Sequence, residues 1–217
     1  MFTPRRLAAA AIICANLCSA AQPQTKAAPA PAAKWPATPK DDAQLYRNPT
    51  FGFRYRIPYG WVDRTQQMRA EQEKRQAANE SDKSELLLAV FEHPPEATGN
   101  TINSAVVIAS ENTASYPGLK KAEDYLAPLT ELATAQGFTA EGEPYALEVE
   151  SRPLLRADFV KTIAVKTTND RLTMRQCTLV WLAKRQIVSF TFIAGSEDEL
   201  DDLMDGLHFA VARSPAP

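Results

Sequence analysis

Residues 172–194 read LTMRQCTLVWLAKRQIVSFTFIA, and this stretch decides the fold class. Leu172 to Ala183 and Ile187 to Ala194 are long runs of apolar, β-branched and aromatic residues, with Lys184-Arg185 between them. Runs of this kind bounded by a short polar turn read as a β-hairpin. Leu154 to Ile163 is a third such run, joined to the second through a turn at Asn169-Asp170. Three long strands in succession predict an antiparallel meander.

Working outward, Phe51, Phe53, Tyr55 and Ile57 alternate with Gly52, Arg54 and Arg56. A period of two predicts a strand with one apolar and one basic face. Pro58-Tyr59-Gly60 ends it, and Trp61 and Val62 tuck under the core. Arg64 to Asn79 contains no Gly or Pro and few large apolar residues, so it predicts a helix lying mostly in water. Leu86 to Phe91 and Ile102 to Ala109 are continuous apolar runs and read as buried strands. Leu119 to Gln136 predicts a helix that Pro128 kinks or splits and Gly137 stops. Ser196 caps a last helix, with Glu199 completing the S-x-x-E box and Leu200, Leu203, Met204 and Leu207 forming its buried stripe. The expected fold is α+β, an antiparallel β-sheet with helices packed on it.

The segments flanking this pattern assign the rest of the 217 residues. Arg5 and Arg6, the apolar run Leu7 to Leu17 and the small residues Ser19-Ala20-Ala21 form a secretory leader over 1–21. The apolar run is shorter than the roughly twenty residues that span a bilayer. Two other readings of the leader stay open: a twin-arginine signal at Arg5-Arg6, and lipidation at Cys14 or Cys18, although Ile13 and Leu17 are bulky for a lipoprotein signal. Residues 22–44 are rich in Ala and Pro and read as a semi-rigid tether carrying Trp35. The globular domain spans 45–213, and 214–217 is a frayed tail. The chain is therefore expected outside the cytoplasm, with no transmembrane helix once the leader is removed. Its formal net charge of −2 lacks the basic excess of a nucleic-acid binder. Only Cys177 follows the leader, so the domain forms no internal disulfide and must be held by its core.

No residue set specifies a reaction, a metal or a cofactor. His93 and His208 are far apart, and neither has a second ligand three or four residues on, so both read as surface or capping histidines. Cys177 sits in mid-strand beside Arg175 and Leu179 with no histidine in view; it reads as core. Asp198, Glu199, Asp201, Asp202 and Asp205 lie opposite the leucine stripe of the last helix and read as a solvated face, because a calcium loop needs a turning backbone with a central Gly. No glycine-rich phosphate loop and no G-x-S-x-G elbow is present. One surface feature remains. Arg54 and Arg56 share a strand face, as do Arg152 and Arg156; with Tyr59 and Trp61 they are the candidate interaction surface, provided the two strands are neighbours. The alternative is an ordinary polar strand face paired with Glu148, Glu150 or Asp158.

Asn48-Pro49-Thr50-Phe51-Gly52-Phe53-Arg54-Tyr55-Arg56-Ile57-Pro58-Tyr59-Gly60-Trp61 resembles the opening of the PsbP, DcrB and Mog-type group, whose domains often begin with a short strand and turn of the form GF-x-x-x-x-P-x-G-W. The resemblance implies an α/β/α sandwich around an antiparallel sheet and a prior towards an accessory, non-catalytic role. It carries over no site residues, because fold does not carry function across such a group. Together these readings favour an exported accessory or binding domain acting through contacts with another envelope or secreted protein. A small apolar-ligand or lipid carrier and an extracytoplasmic enzyme are the alternatives.

Overall fold

The computed structural model describes residues 44–76, 84–95, 101–165 and 170–210. The leader, Trp35 and the rest of the tether before Gln44, Asn169 and the tail lie outside the described residues. Among the described residues, ten strands and three α-helices follow in the order β1 (Gln44–Asn48), β2 (Phe53–Ile57), β3 (Val62–Asp63), α1 (Thr65–Gln76), β4 (Ser84–Phe91), β5 (Ala105–Asn112), α2 (Leu126–Ala135), β6 (Thr139–Val149), β7 (Arg152–Ala164), β8 (Arg171–Ala183), β9 (Gln186–Ala194), α3 (Glu197–Met204) and β10 (Leu207–Phe209). Seven strands form one sheet in the order β3-β4-β5-β9-β8-β7-β6, and β1-β2-β10 form a second, smaller sheet. All neighbouring strands are antiparallel. The architecture is α+β, antiparallel sheets with helices packed on them, and the meander of β7, β8 and β9 is present.

The large sheet separates two apolar cores. On one face Leu88, Val90, Val106, Ile108, Cys177, Leu179, Phe190 and Phe192 meet Phe53 and Tyr55 of the small sheet and Leu200 and Leu203 of α3. On the other, Leu86, Ala89, Val107, Phe159, Met174 and Ile193 meet Tyr125, Leu129 and Ala133 of the α2 region. Both faces of the middle strands are therefore covered, which explains why β8 and β9 read as apolar runs rather than as clean alternations. One cover contains a second sheet as well as a helix.

Local chemistry sets the helix limits. Pro128 is the third residue of α2, where the missing amide proton has no intrahelical acceptor to lose. The chain before it runs instead through a 3-10 turn at Ala122–Tyr125. Ser196 Oγ accepts from the Glu199 amide at 3.2 Å, as a cap should. The Glu199 carboxylate reaches the Gly195 amide at 3.0 Å and the Ser104 hydroxyl at 2.5 Å, which fastens the start of α3 to the large sheet. Helix α1 is not merely a solvated rod. Strand β4 has a bulge at Leu86/Leu88. The Arg69 guanidinium donates to the carbonyls of Leu86 at 2.6 Å and Leu87 at 3.0 Å, groups that the interrupted ladder leaves available.

The small sheet and α3 pack closely at Gly206. A Cβ there would sit 2.9 Å from Tyr55 Cε2 and 3.1 Å from the Arg56 carbonyl oxygen, both in a close-packed setting. Gly206→Ala is expected to lower stability by about 1–3 kcal/mol, the usual cost of overpacking. Urea denaturation of the two chains measures it, and equal midpoints would show that the small sheet can shift.

Candidate interaction surface

The register of the small sheet decides which side chains reach solvent. Tyr46, Asn48, Phe53, Tyr55, Ile57, Leu207 and Phe209 face inward, while Leu45, Arg47, Arg54, Arg56 and His208 lie on the outer face. Arg47 pairs with Arg54, which pairs in turn with His208; Leu45 pairs with Arg56. Arg47 and Arg54 are thus like charges directly opposite each other, an arrangement that costs stability in a sheet. None of Arg47, Arg54 and Arg56 makes an ion pair among the described residues.

Among the described residues, one acid is hydrogen-bonded into this face. Glu150, in the turn between β6 and β7, takes a hydrogen bond from the Phe209 amide at 2.7 Å and meets His208 Nδ1 at 2.8 Å. The His208 hydrogen bond, then the Phe209 amide, hold the Glu150 carboxyl below its ordinary range; Arg54 contributes least. Among the described residues, the carboxylate hydrogen-bonded into this face is Glu150, against three arginines.

The other arginines of the expected surface are placed differently. Strands β2 and β7 belong to different sheets, so Arg54 and Arg56 do not share a sheet face with Arg152 and Arg156. The Arg152 guanidinium lies 5.7 Å from the Trp181 ring centre, a cation–π distance. Arg156 Nε binds both oxygens of Asp158, at 3.0 and 2.9 Å, and its charge is met there. Tyr59, in the turn after β2, is 69% exposed, and Leu45 is 41% exposed. Trp61 is half-buried against the core. Arg47 and His208 joined the face unannounced; the alternation in Leu45-Tyr46-Arg47 was the available signal, and it fell at the tether boundary.

The remaining sequence candidates are quiet. Cys177 is fully buried. Burial, then the neighbouring Asp158 carboxylate, push its thiol far above the ordinary range. His93 is exposed beside Glu92, with 3.7 Å between ring nitrogen and carboxylate. Asp198, Asp201, Asp202 and Asp205 are exposed on α3. Among the described residues no cluster of three or more His, Cys, Asp or Glu is placed to hold a metal ion, and no helix is long and apolar enough to cross a membrane. The space between α2 and the large sheet, where the buried Gln176 Oε1 has no hydrogen-bond partner, is about 30 Å³. That is room for a water molecule rather than an acyl chain.

No family model matches the chain, and no curated protein matches it. Solved structures similar to it include a cyanobacterial PsbP (CyanoP) from Synechocystis sp. PCC 6803, at 12% identity and TM-score 0.47, covering 83% of this chain and all of that one. The Ran-binding protein Mog1p of Saccharomyces cerevisiae is similar at 9% identity and TM-score 0.42, covering 77% of this chain and 95% of that one. LpqN, involved in cell envelope biogenesis of Mycobacterium tuberculosis, is similar at 12% identity and TM-score 0.37, covering 79% and 87%. The likeness to PsbP and Mog-type proteins is thus one of fold, as the Asn48–Trp61 stretch implied.

Two measurements check this electrostatic picture. Site-resolved mass spectrometry after exposure to a thiol reagent at mildly alkaline pH should find Cys177 unlabelled in the folded chain and labelled after denaturation; labelling at equal rates would contradict its burial. Glu150 carries a depressed folded-state pKa, so its contribution to stability is full above the ordinary carboxylate range and fades as the pH falls through the depressed value. The gap in denaturation midpoint between wild type and Glu150→Gln should therefore narrow on acidification, and a gap that widens would reverse the assignment.

Proposed function

We propose that this chain is an exported accessory domain that binds an acidic partner protein through the outer face of its three-stranded sheet. The observation that carries the reading is the row Arg47–Arg54–His208 with Arg56 beside it, three guanidinium groups that form no ion pair among the described residues. Opposed arginines in a sheet cost stability, and an acidic partner turns that cost into attraction by charge-assisted hydrogen bonds and faster encounter. Leu45 and Tyr59 add exposed apolar area of the kind that protein interfaces use at their centres. The Arg-containing leader and the Ala/Pro tether read from the sequence support export, and the partner of this reading is an envelope or secreted protein. Tyr59 and the arginines at 47, 54 and 56 are the contact residues; Trp61, Arg152 and Arg156 support the fold.

The test is a cross-linking capture from cell-envelope extract with wild type and an Arg54→Glu/Arg56→Glu chain that keeps its circular dichroism spectrum. The double variant should capture its partner at least about tenfold less, and rising salt should weaken the wild type. Equal capture by both chains removes the arginine face from the binding site.

A further inference from the structure

A second site lies where the β1–β2 turn overhangs the large sheet. Along the face that packs against the small sheet, β4, β5 and β9 are apolar through Leu88, Ile108 and Phe190. At one end the same face changes character. Glu85 stands opposite Ser110, and Asn112 opposite Gln186, as cross-strand pairs on adjacent strands. These four polar side chains floor a cleft of about 440 Å³. Phe51, half-buried, and Lys184 of the β8–β9 turn close its sides. The Lys184 ammonium donates to the Thr50 carbonyl at 3.1 Å, which ties the overhanging turn to the rim.

The cleft shows signs of a prepared site. Ser110 lines the cleft, and its hydroxyl has no hydrogen-bond partner among the described residues. The carboxylate of Glu85 and the amide of Gln186 are likewise without protein partners there. Three side chains with unused hydrogen-bonding capacity thus converge on one cleft, where another molecule can complete the set. The volume falls in the usual range for small-ligand pockets, roughly 300–1,000 Å³.

The chemistry of the lining selects the ligand. One carboxylate and one ammonium leave the cleft with no net charge, so neither a polyanion nor a polycation is favoured. Glu85 only accepts, Lys184 only donates, and Ser110, Asn112 and Gln186 do both. A ligand rich in hydroxyl groups fits that mixture, because each hydroxyl gives one proton and takes another. Phe51 offers an apolar wall to the C–H face of a sugar ring. We propose that this cleft binds a neutral saccharide of one or two pyranose rings, independently of the arginine face.

The experiment is a titration of the full-length ¹⁵N-labelled chain with glucose, galactose, N-acetylglucosamine, maltose and lactose, with glycylglycine as a zwitterionic control. At least one saccharide should shift the amide signals around Glu85, Ser110, Asn112 and Gln186 in a saturable way, and glycylglycine should not. Ser110→Ala and Gln186→Ala should each weaken that saccharide by about three- to tenfold, the range for one lost hydrogen bond. Arg54→Glu/Arg56→Glu should leave it unchanged, which separates this site from the partner surface. The proposal fails if no saccharide shifts these signals, if the shifts map elsewhere, or if glycylglycine alone produces them.

Discussion

The Tyr55 hydroxyl donates to the Leu203 carbonyl at 3.1 Å, and the other features of the small sheet follow from this bond. Tyr55 is fully buried, with its ring 6.2 Å from Phe192 of the large sheet. Burial raises its pKa far enough that the phenol stays protonated and remains a donor. The acceptor is an end-of-helix carbonyl, one of the last four that an α-helix cannot satisfy by itself. One side chain therefore fixes β2 against the large sheet and against α3 together. Gly206 follows because the chain returning from α3 into β10 must pass between Tyr55 and the Arg56 carbonyl. With Phe53, Tyr55 and Ile57 committed to the core, strict alternation leaves Arg54 and Arg56 on the opposite face.

The same residue type has two fates in this molecule, and placement decides between them. Arg156 lies on the face of β7 that α3 approaches, where Asp158 meets it and Asp201 lies 3.9 Å away. Arg175 likewise joins Glu141 at 2.6 Å and Glu197 at 3.1 Å. Partly buried guanidinium groups must be matched, since an unpaired charge out of water costs several kcal/mol. The arginines of β1 and β2 face water, where matching is optional. Among the described residues they form no ion pair, and solvation makes that tolerable.

Much of the fold was legible because its central strands carry strong patterns. The β8–β9 hairpin and the Ser196 cap stand within a residue of their expected places, and the turn falls at Lys184-Arg185 with φ of +48° and +68°. Strand β6 was not legible. Its residues are exposed almost throughout, it contains Gly142 and Pro144, and its pairing slips between Glu141 and Tyr145. Those features suit a sheet edge that must not recruit another strand, and they erase the periodicity that signals a strand. The turn after it, Glu150-Ser151, takes positive φ at both residues without the Asn-Gly usually found there. The surface was half legible for a related reason. Alternation showed that Arg54 and Arg56 share a face, but which strands lie beside them depends on β10, three residues long, returning from the far end of the chain.

The small sheet also explains why two unlike surfaces lie close in the chain. Its inner side must be apolar to close the core, and its outer side is free to be basic. Its β1–β2 turn extends past the last apolar row of the large sheet, where no side chain from above fills the space, and there the underlying face turns polar at Glu85, Ser110, Asn112 and Gln186. Asn48 holds that turn from within: its Oδ1 accepts from the Phe51 amide at 3.1 Å, and its amide donates to the Tyr46 hydroxyl at 3.2 Å. Asn48 pairs with Phe53, and Arg47 beside it pairs with Arg54. The turn that walls the cleft is thus continuous with the strands that carry the basic row, and any shift in the register of β1 on β2 would displace both at once.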